Sequence, residues 1–187
     1  MRITLIRHGQ PLIERPAWAP YAEAHRYHYA YDEVAVKKHD VAHFASLAEE
    51  ADRVYCSALR RSRETAKMIF GDACEIIADP TFNELKTSLM PHIPLVRLPV
   101  RVWQTGGRIL WLLGKQAKDH EAFRMARLRA RRATGLLIQE AQTHGLAVLV
   151  GHGMMNRFIA WRLRRQGWRK VQDEGSGYLS RIILEKM

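Results

Sequence analysis

Apolar residues come in short runs, each closed by glycine or by charge. Residues 3–6 (Ile-Thr-Leu-Ile) form a strand-like run that ends in Arg7-His8-Gly9, where glycine permits a tight turn. Residues 53–56 (Arg-Val-Tyr-Cys) repeat the pattern and pass through Ser57 into residues 59–70, whose apolar positions Leu59, Ala66, Ile69 and Phe70 suit an amphipathic helix. Residues 146–150 (Leu-Ala-Val-Leu-Val) are the most strand-like of all, and Gly151-His152-Gly153 follows them before a helical stretch over 154–165. This recurrence predicts an α/β protein with a mostly parallel sheet, in which ligands bind beyond the carboxyl ends of the strands. Arg7, His8, Ser57, Arg61 and His152 all fall at that end.

The remaining pattern fills out the frame. Residues 75–77 read as a weaker strand that leads through Asp79-Pro80 to Asn83-Glu84-Leu85. Residues 178–184, after Gly175-Ser176-Gly177, read as a last strand at an antiparallel edge, and residues 119–142 as a long helix with Phe123, Ala126, Ala130, Ala133, Leu137 and Ala141 on one face. Residues 11–38, with Pro11, Pro16 and Pro20, and residues 90–114, with Pro91, Pro94 and Pro99, resist assignment and read as insertions above the sheet, where substrate choice usually resides. Tyr27, Tyr29 and Tyr31 alternate as strand residues would, or equally wall a pocket. With no repeat or linker, the expected architecture is one three-layer αβα domain over residues 1–187. It has a mostly parallel central sheet, one antiparallel edge strand, and loop or helix insertions over the site.

Composition sharpens the question of partners. Of 187 residues 47% are hydrophobic and 26% charged, which suits one folded domain. The net charge of +11 is regional: residues 97–170 hold 16 basic and 3 acidic residues, the rest 14 and 16. A basic region suits an anionic, phosphorylated partner. The arginines of residues 124–132 (Arg124, Arg127, Arg129, Arg131, Arg132) carry no zinc spacing or RNA-binding aromatic signature, so solvated helix faces are the plainer reading beside weak association with anionic surfaces. Trp103 and the apolar run 109–113 suit core packing better than a lid or membrane patch, and that run is far shorter than the ~20 residues of a bilayer span. Two cysteines, Cys56 and Cys74, and a charged Arg7-His8 before any signal-peptide core point to a reducing, cytoplasmic setting. His39 and His43 stand four residues apart with His25 and His28 nearby, yet no carboxylate motif accompanies them, so no metal or cofactor is expected.

The chemistry lies in the three turns. Neutral imidazole is a good nucleophile toward phosphorus, and guanidinium offers paired hydrogen bonds to phosphoryl oxygens. Arg61, in the first turn after a strand, is a second candidate clamp, whereas Arg60 and Arg63 point to other faces of the helix. Together, Arg7-His8-Gly9, the pattern Ser57-x-Leu59-x-Arg61-Ser62-x-x-Thr65-Ala66, Glu84 and Gly151-His152-Gly153 resemble the histidine phosphatase superfamily, which includes the cofactor-dependent phosphoglycerate mutases. The resemblance implies that His8 attacks phosphorus and becomes phosphohistidine. Arg7, Arg61 and His152 would then hold the phosphoryl oxygens, with Glu84 as the general acid, and no metal would be needed. Pro11 and Glu14 stand where many members have threonine and asparagine, Ala58 where proline is frequent, and the mutases' extended first motif is missing. These departures favour a phosphatase over a mutase-like phosphotransferase. A non-catalytic phospho-ligand-binding member of the same fold is the alternative from another class.

Overall fold

The computed structural model describes residues 1–72, 74–115 and 121–187. Its first half holds β1 (Arg2–Arg7), β2 (Trp18–Pro20), α1 (Tyr21–Glu33), α2 (Ala45–Glu50), β3 (Arg53–Ser57), α3 (Arg60–Phe70) and β4 (Glu75–Asp79). The second holds β5 (Arg97–Pro99), α4 (Val100–Leu112), α5 (Phe123–His144), β6 (Leu146–Gly151), α6 (Gly153–Arg165), β7 (Arg169–Asp173) and β8 (Arg181–Glu185). Six strands form the central sheet in the order β4-β3-β6-β1-β8-β7. The first four are parallel, β8 is antiparallel to β1, and β7 is antiparallel to β8.

Both faces of this sheet are covered, which explains its unbroken apolar runs. On β1 and β6, Ile3, Leu5, Ala147 and Leu149 pack toward α5 and α6, while Ile6, Val148 and Val150 pack toward α2 and α3 with Val54 and Cys56. Burial of alternate residues on opposite faces fixes the register, since a slip by one would exchange the two cores.

Two expectations need correction. The last strand is antiparallel, but it lies one position inside the sheet. β7 forms the edge, and its five residues are all exposed, so no apolar periodicity marks it; its charges suit an edge that must not recruit another chain. Of the two readings of Tyr27, Tyr29 and Tyr31, the strand gives way because they lie on α1, while the pocket wall stands, since all three line a cavity. The long helix is confirmed from Phe123 to His144, while Asp119 and His120, at the expected start, lie outside the described residues.

The two insertions share one construction. β2 and β5 pair antiparallel, Trp18 opposite Pro99 and Pro20 opposite Arg97, and each runs directly into a 13-residue helix. Pro20 and Pro99 occupy the N-cap positions of α1 and α4, where the missing N–H costs the helix no hydrogen bond, so prolines that read as breakers start helices here. A small core of Ala19, Ala24, Tyr27, Leu89, Val100 and Trp103 holds the unit together. Trp103 and Trp111 are fully buried, as core packing requires, whereas Ile109, Leu112 and Leu113 are exposed. Gly107 sits where α4 crosses the backbone of Ser88 and Leu89: a Cβ there would lie 1.9 Å from the Ser88 carbonyl oxygen. Among the described residues no helix is long and apolar enough to cross a membrane.

Candidate active site

β1, β3 and β6 end side by side, and the turns after them deliver the candidate side chains. Arg7 closes β1, His8 follows it, Arg61 stands in the first turn of α3, and His152 caps α6. The His8 and His152 ring centroids are 5.1 Å apart, and Arg61 Nε donates to His152 Nδ1 at 3.3 Å. Residues from opposite ends of the chain therefore meet.

The environment of His8 sets its protonation and its tautomer. Its side chain is 2% exposed, and Nδ1–H donates to the Gly9 carbonyl at 2.7 Å, which leaves the lone pair on Nε2. Burial, together with the Arg61 and Arg7 cations, pushes its pKa down from 6.5 to about 3 against the opposing pull of the Gly9 carbonyl. His8 is thus neutral through the physiological range.

His152 is fully buried, and burial with the same arginines and His8 holds its pKa well below the ordinary value. Because arginine only donates, Nδ1 of His152 is an acceptor, and the ring proton sits on Nε2, 3.2 Å from Ser62 Oγ. Both nitrogens are engaged, so His152 braces Arg61 from behind. Gly151, just before it, leaves room for Asn156, whose Oδ1 would lie 2.5 Å from a Cβ there and whose Nδ2 donates to the Ile6 carbonyl.

The two guanidinium groups are held on several sides. Arg61, 2% exposed, donates Nη1 to Asp32 at 2.6 Å and lies 5.1 Å from the centre of the Tyr31 ring. Arg7 donates to the Ser176 carbonyl and lies 4.7 Å from the Tyr178 ring, while its buried Nε–H has no acceptor among the described residues. The Tyr31 and Tyr178 hydroxyls are 3.3 Å apart, and both rings flank His8.

Glu84 faces the same cavity, which has a volume of about 610 Å³. Its carboxylate receives N–H groups from Leu85 and Met155 at 3.0 and 3.1 Å, and from Met154 at 3.3 Å, so it also caps α6. Arg129 anchors the loop beneath, donating to the carbonyls of Thr81, Asn83 and Glu84 while paired with Glu121. Ser57, expected at the crevice, is buried and donates instead to Asn83 Oδ1 at 2.8 Å.

The structure thus brings Arg7, His8, Arg61, Glu84 and His152 together, all but His152 lining the cavity. Glu14 is exposed and absent from the walls. Sequence reasoning missed Asp32, Tyr178 and Arg129. The Tyr27–Tyr31 spacing of four was a usable signal for a pocket-facing helix, and Gly175-Ser176-Gly177 marked the turn that presents Tyr178. Arg129 looks like its solvated neighbours until its partners are known. His39 accepts from the Gln10 N–H and His43 stacks on Phe44; among the described residues no three metal-ligating side chains cluster.

Imidazoles and guanidiniums gathered at the carboxyl end of a parallel sheet define an anion-handling α/β protein. The histidine phosphatase superfamily (branch 1) matches residues 38–185, and the chain belongs to that superfamily. Arg7-His8-Gly9 precedes the matched segment. Among solved structures, the native mycobacterial glucosyl-3-phosphoglycerate phosphatase is 16% identical over 100% of this chain and 90% of its own, with a TM-score of 0.62. An open reading frame of Mycobacterium tuberculosis is 18% identical, covering 100% and 91%, with a TM-score of 0.60. A phosphoserine phosphatase mutant of Entamoeba histolytica, solved with phosphoserine, is 14% identical over 97% and 89%, with a TM-score of 0.54. At these identities the likeness is one of fold. No curated protein is similar enough in sequence to count as a relative.

Proposed function

We propose that this chain is a phosphomonoester phosphatase that works through a phosphohistidine on His8, without a metal, in a single catalytic domain. The carrying observation is a buried, neutral imidazole with its lone pair on Nε2, lining one cavity together with two guanidinium groups that act on its charge. In the first step Nε2 bonds to phosphorus as the bond from phosphorus to the alcohol oxygen breaks, and Glu84 gives that oxygen its proton. In the second, Glu84 takes a proton from water, the water oxygen bonds to phosphorus, and the P–N bond breaks to release inorganic phosphate.

Arg7 and Arg61 hold the phosphoryl oxygens and offset their charge; the unmatched Nε–H of Arg7 gains an acceptor when an anion binds. His152 aims Arg61 and reaches a phosphoryl oxygen by exchanging its contact with Ser62. Superfamily membership and phosphatase neighbours support hydrolysis over transfer. Cys56 and Cys74 are both unbridged, which suits a reducing cytoplasm. Arg124, Arg127, Arg131 and Arg132 are exposed, and weak attraction to anionic surfaces through them belongs to the same reading.

The test is hydrolysis of p-nitrophenyl phosphate with and without chelator. Chelator-insensitive turnover that disappears in His8→Ala is expected. Tight phosphate binding without turnover in the wild type would make the chain a phospho-ligand-binding protein instead.

A further inference from the structure

The cavity holds more positive charge than one phosphoryl group uses. Arg7 and Arg61 serve the reaction centre, but Arg15, Lys86, Arg101 and Arg108 line the same walls, and none of these four forms an ion pair among the described residues. The two carboxylates in the walls are already engaged, Asp32 by Arg61 and Glu84 by the α6 N–H groups, so neither neutralises the outer cations.

The placement follows from how α4 is built. Trp103, Gly107 and Trp111 recur every four residues and bury one face. Arg101, Gln104, Thr105 and Arg108, at i, i+3, i+4 and i+7, form a second stripe, and this one faces the cavity. Seven residues separate the two arginines, about 10 Å along the helix. Arg101 also sits in the first turn of α4, which has no acidic residue, where the helix dipole opposes a cation. An anion bound there would relieve that opposition, and among the described residues no carboxylate pairs with Arg101.

We infer that the α4 stripe Arg101–Arg108, with Arg15 and Lys86 in the same cavity walls, is a subsite for a second anionic group, a phosphate or a carboxylate, on the alcohol portion of the substrate. The preferred substrate class is therefore a phosphomonoester with a second anion remote from the scissile phosphoryl. This deepens the phosphatase reading and rests on it only for the fate of the first phosphoryl group. A cavity of about 610 Å³ lies within the roughly 300–1,000 Å³ range of small-molecule sites, which is ample for such a substrate.

Binding tests this independently of turnover. Calorimetry would compare three non-hydrolysable series of matched chain length: alkyl monophosphonates, α,ω-alkane bisphosphonates and ω-carboxyalkyl phosphonates. The expected result is at least tenfold tighter binding of one or both doubly anionic series at the best spacer, and the tighter series identifies the second anion. In the double variant Arg101→Ala with Arg108→Ala the ratio should fall below about threefold. Arg131→Ala with Arg132→Ala removes the same charge from exposed positions of α5 and should leave the ratio intact. Equal affinity across the three series, a ratio that survives the α4 variant, or one that falls equally in the α5 variant would overturn the inference. Failure to hydrolyse any phosphomonoester while the selectivity persists would sink the phosphatase reading and leave the subsite standing.

Discussion

The end of the sheet and the unit formed by the two insertions handle charge in opposite ways. At the sheet, Arg61 is buried and committed to Asp32, His152 and the Tyr31 ring, so its direction is set before any ligand arrives. On the insertions, Arg101 and Arg108 are exposed and form no ion pair among the described residues, free to adapt to what enters. Preorganised charge suits a transition state whose geometry does not vary, since fixed dipoles need no reorganisation during reaction. Adaptable charge suits an alcohol portion that differs from substrate to substrate.

The first way to sharpen the contrast is chemical. Glu84→Gln keeps an acceptor for the α6 N–H groups but cannot give up a proton as a carboxylic acid does, so turnover of alkyl phosphates should fall by about 10²- to 10⁴-fold. p-Nitrophenyl phosphate, whose leaving group needs little protonation, should lose far less. Equal loss on both would remove Glu84 from the acid role.

The second is acid stability. His8 in the folded chain resists protonation until about pH 3, whereas the unfolded chain takes the proton near 6.5. The unfolded state therefore binds more protons between those values, and stability falls as pH drops through that window, by on the order of 5 kcal/mol if the whole shift is expressed. His152 acts in the same direction. Denaturant midpoints at pH 7 and pH 4.5 should differ strongly in the wild type and less in His8→Gln, while Arg101→Ala with Arg108→Ala on α4 should leave that difference unaltered.

The third targets the insertions. Gly107→Ala forces a methyl group into the Ser88 carbonyl, and such overpacking costs about 1–3 kcal/mol. A melting temperature lower by several degrees, with KM raised more than kcat is lowered, would show that α4 governs binding rather than chemistry. An unchanged melting temperature would mean that α4 does not press on this segment.

The same contrast explains what could be read in the sequence. β1, β3 and β6 were legible because strands buried on both faces need continuous apolar runs, and because Arg7-His8-Gly9 and Gly151-His152-Gly153 mark where β1 and β6 end. Arg7, His8, Arg61 and His152 could thus be named together, and the structure gathers them. α1 and α4 were not legible, because Pro20 and Pro99 look like breakers unless the short β2–β5 ladder is known to end at them. β7 left no trace because an exposed edge strand has no buried face to impose alternation. The phosphoryl-holding role of His152 was read from the resemblance carried by Gly151-His152-Gly153; its contacts with Arg61 and Ser62 depend on packing that the motif does not spell out.

The central claim is that the His8 ring carries the phosphoryl group between the two half-reactions. Rapid quenching of the wild type with phosphorus-labelled substrate into alkali, followed by peptide mapping, tests it most directly. The account predicts label that is stable to base and labile to acid, on the peptide containing His8, in an amount approaching one per chain, and absent from His8→Ala. Steady turnover with no label on that peptide, or label on another residue, would contradict it.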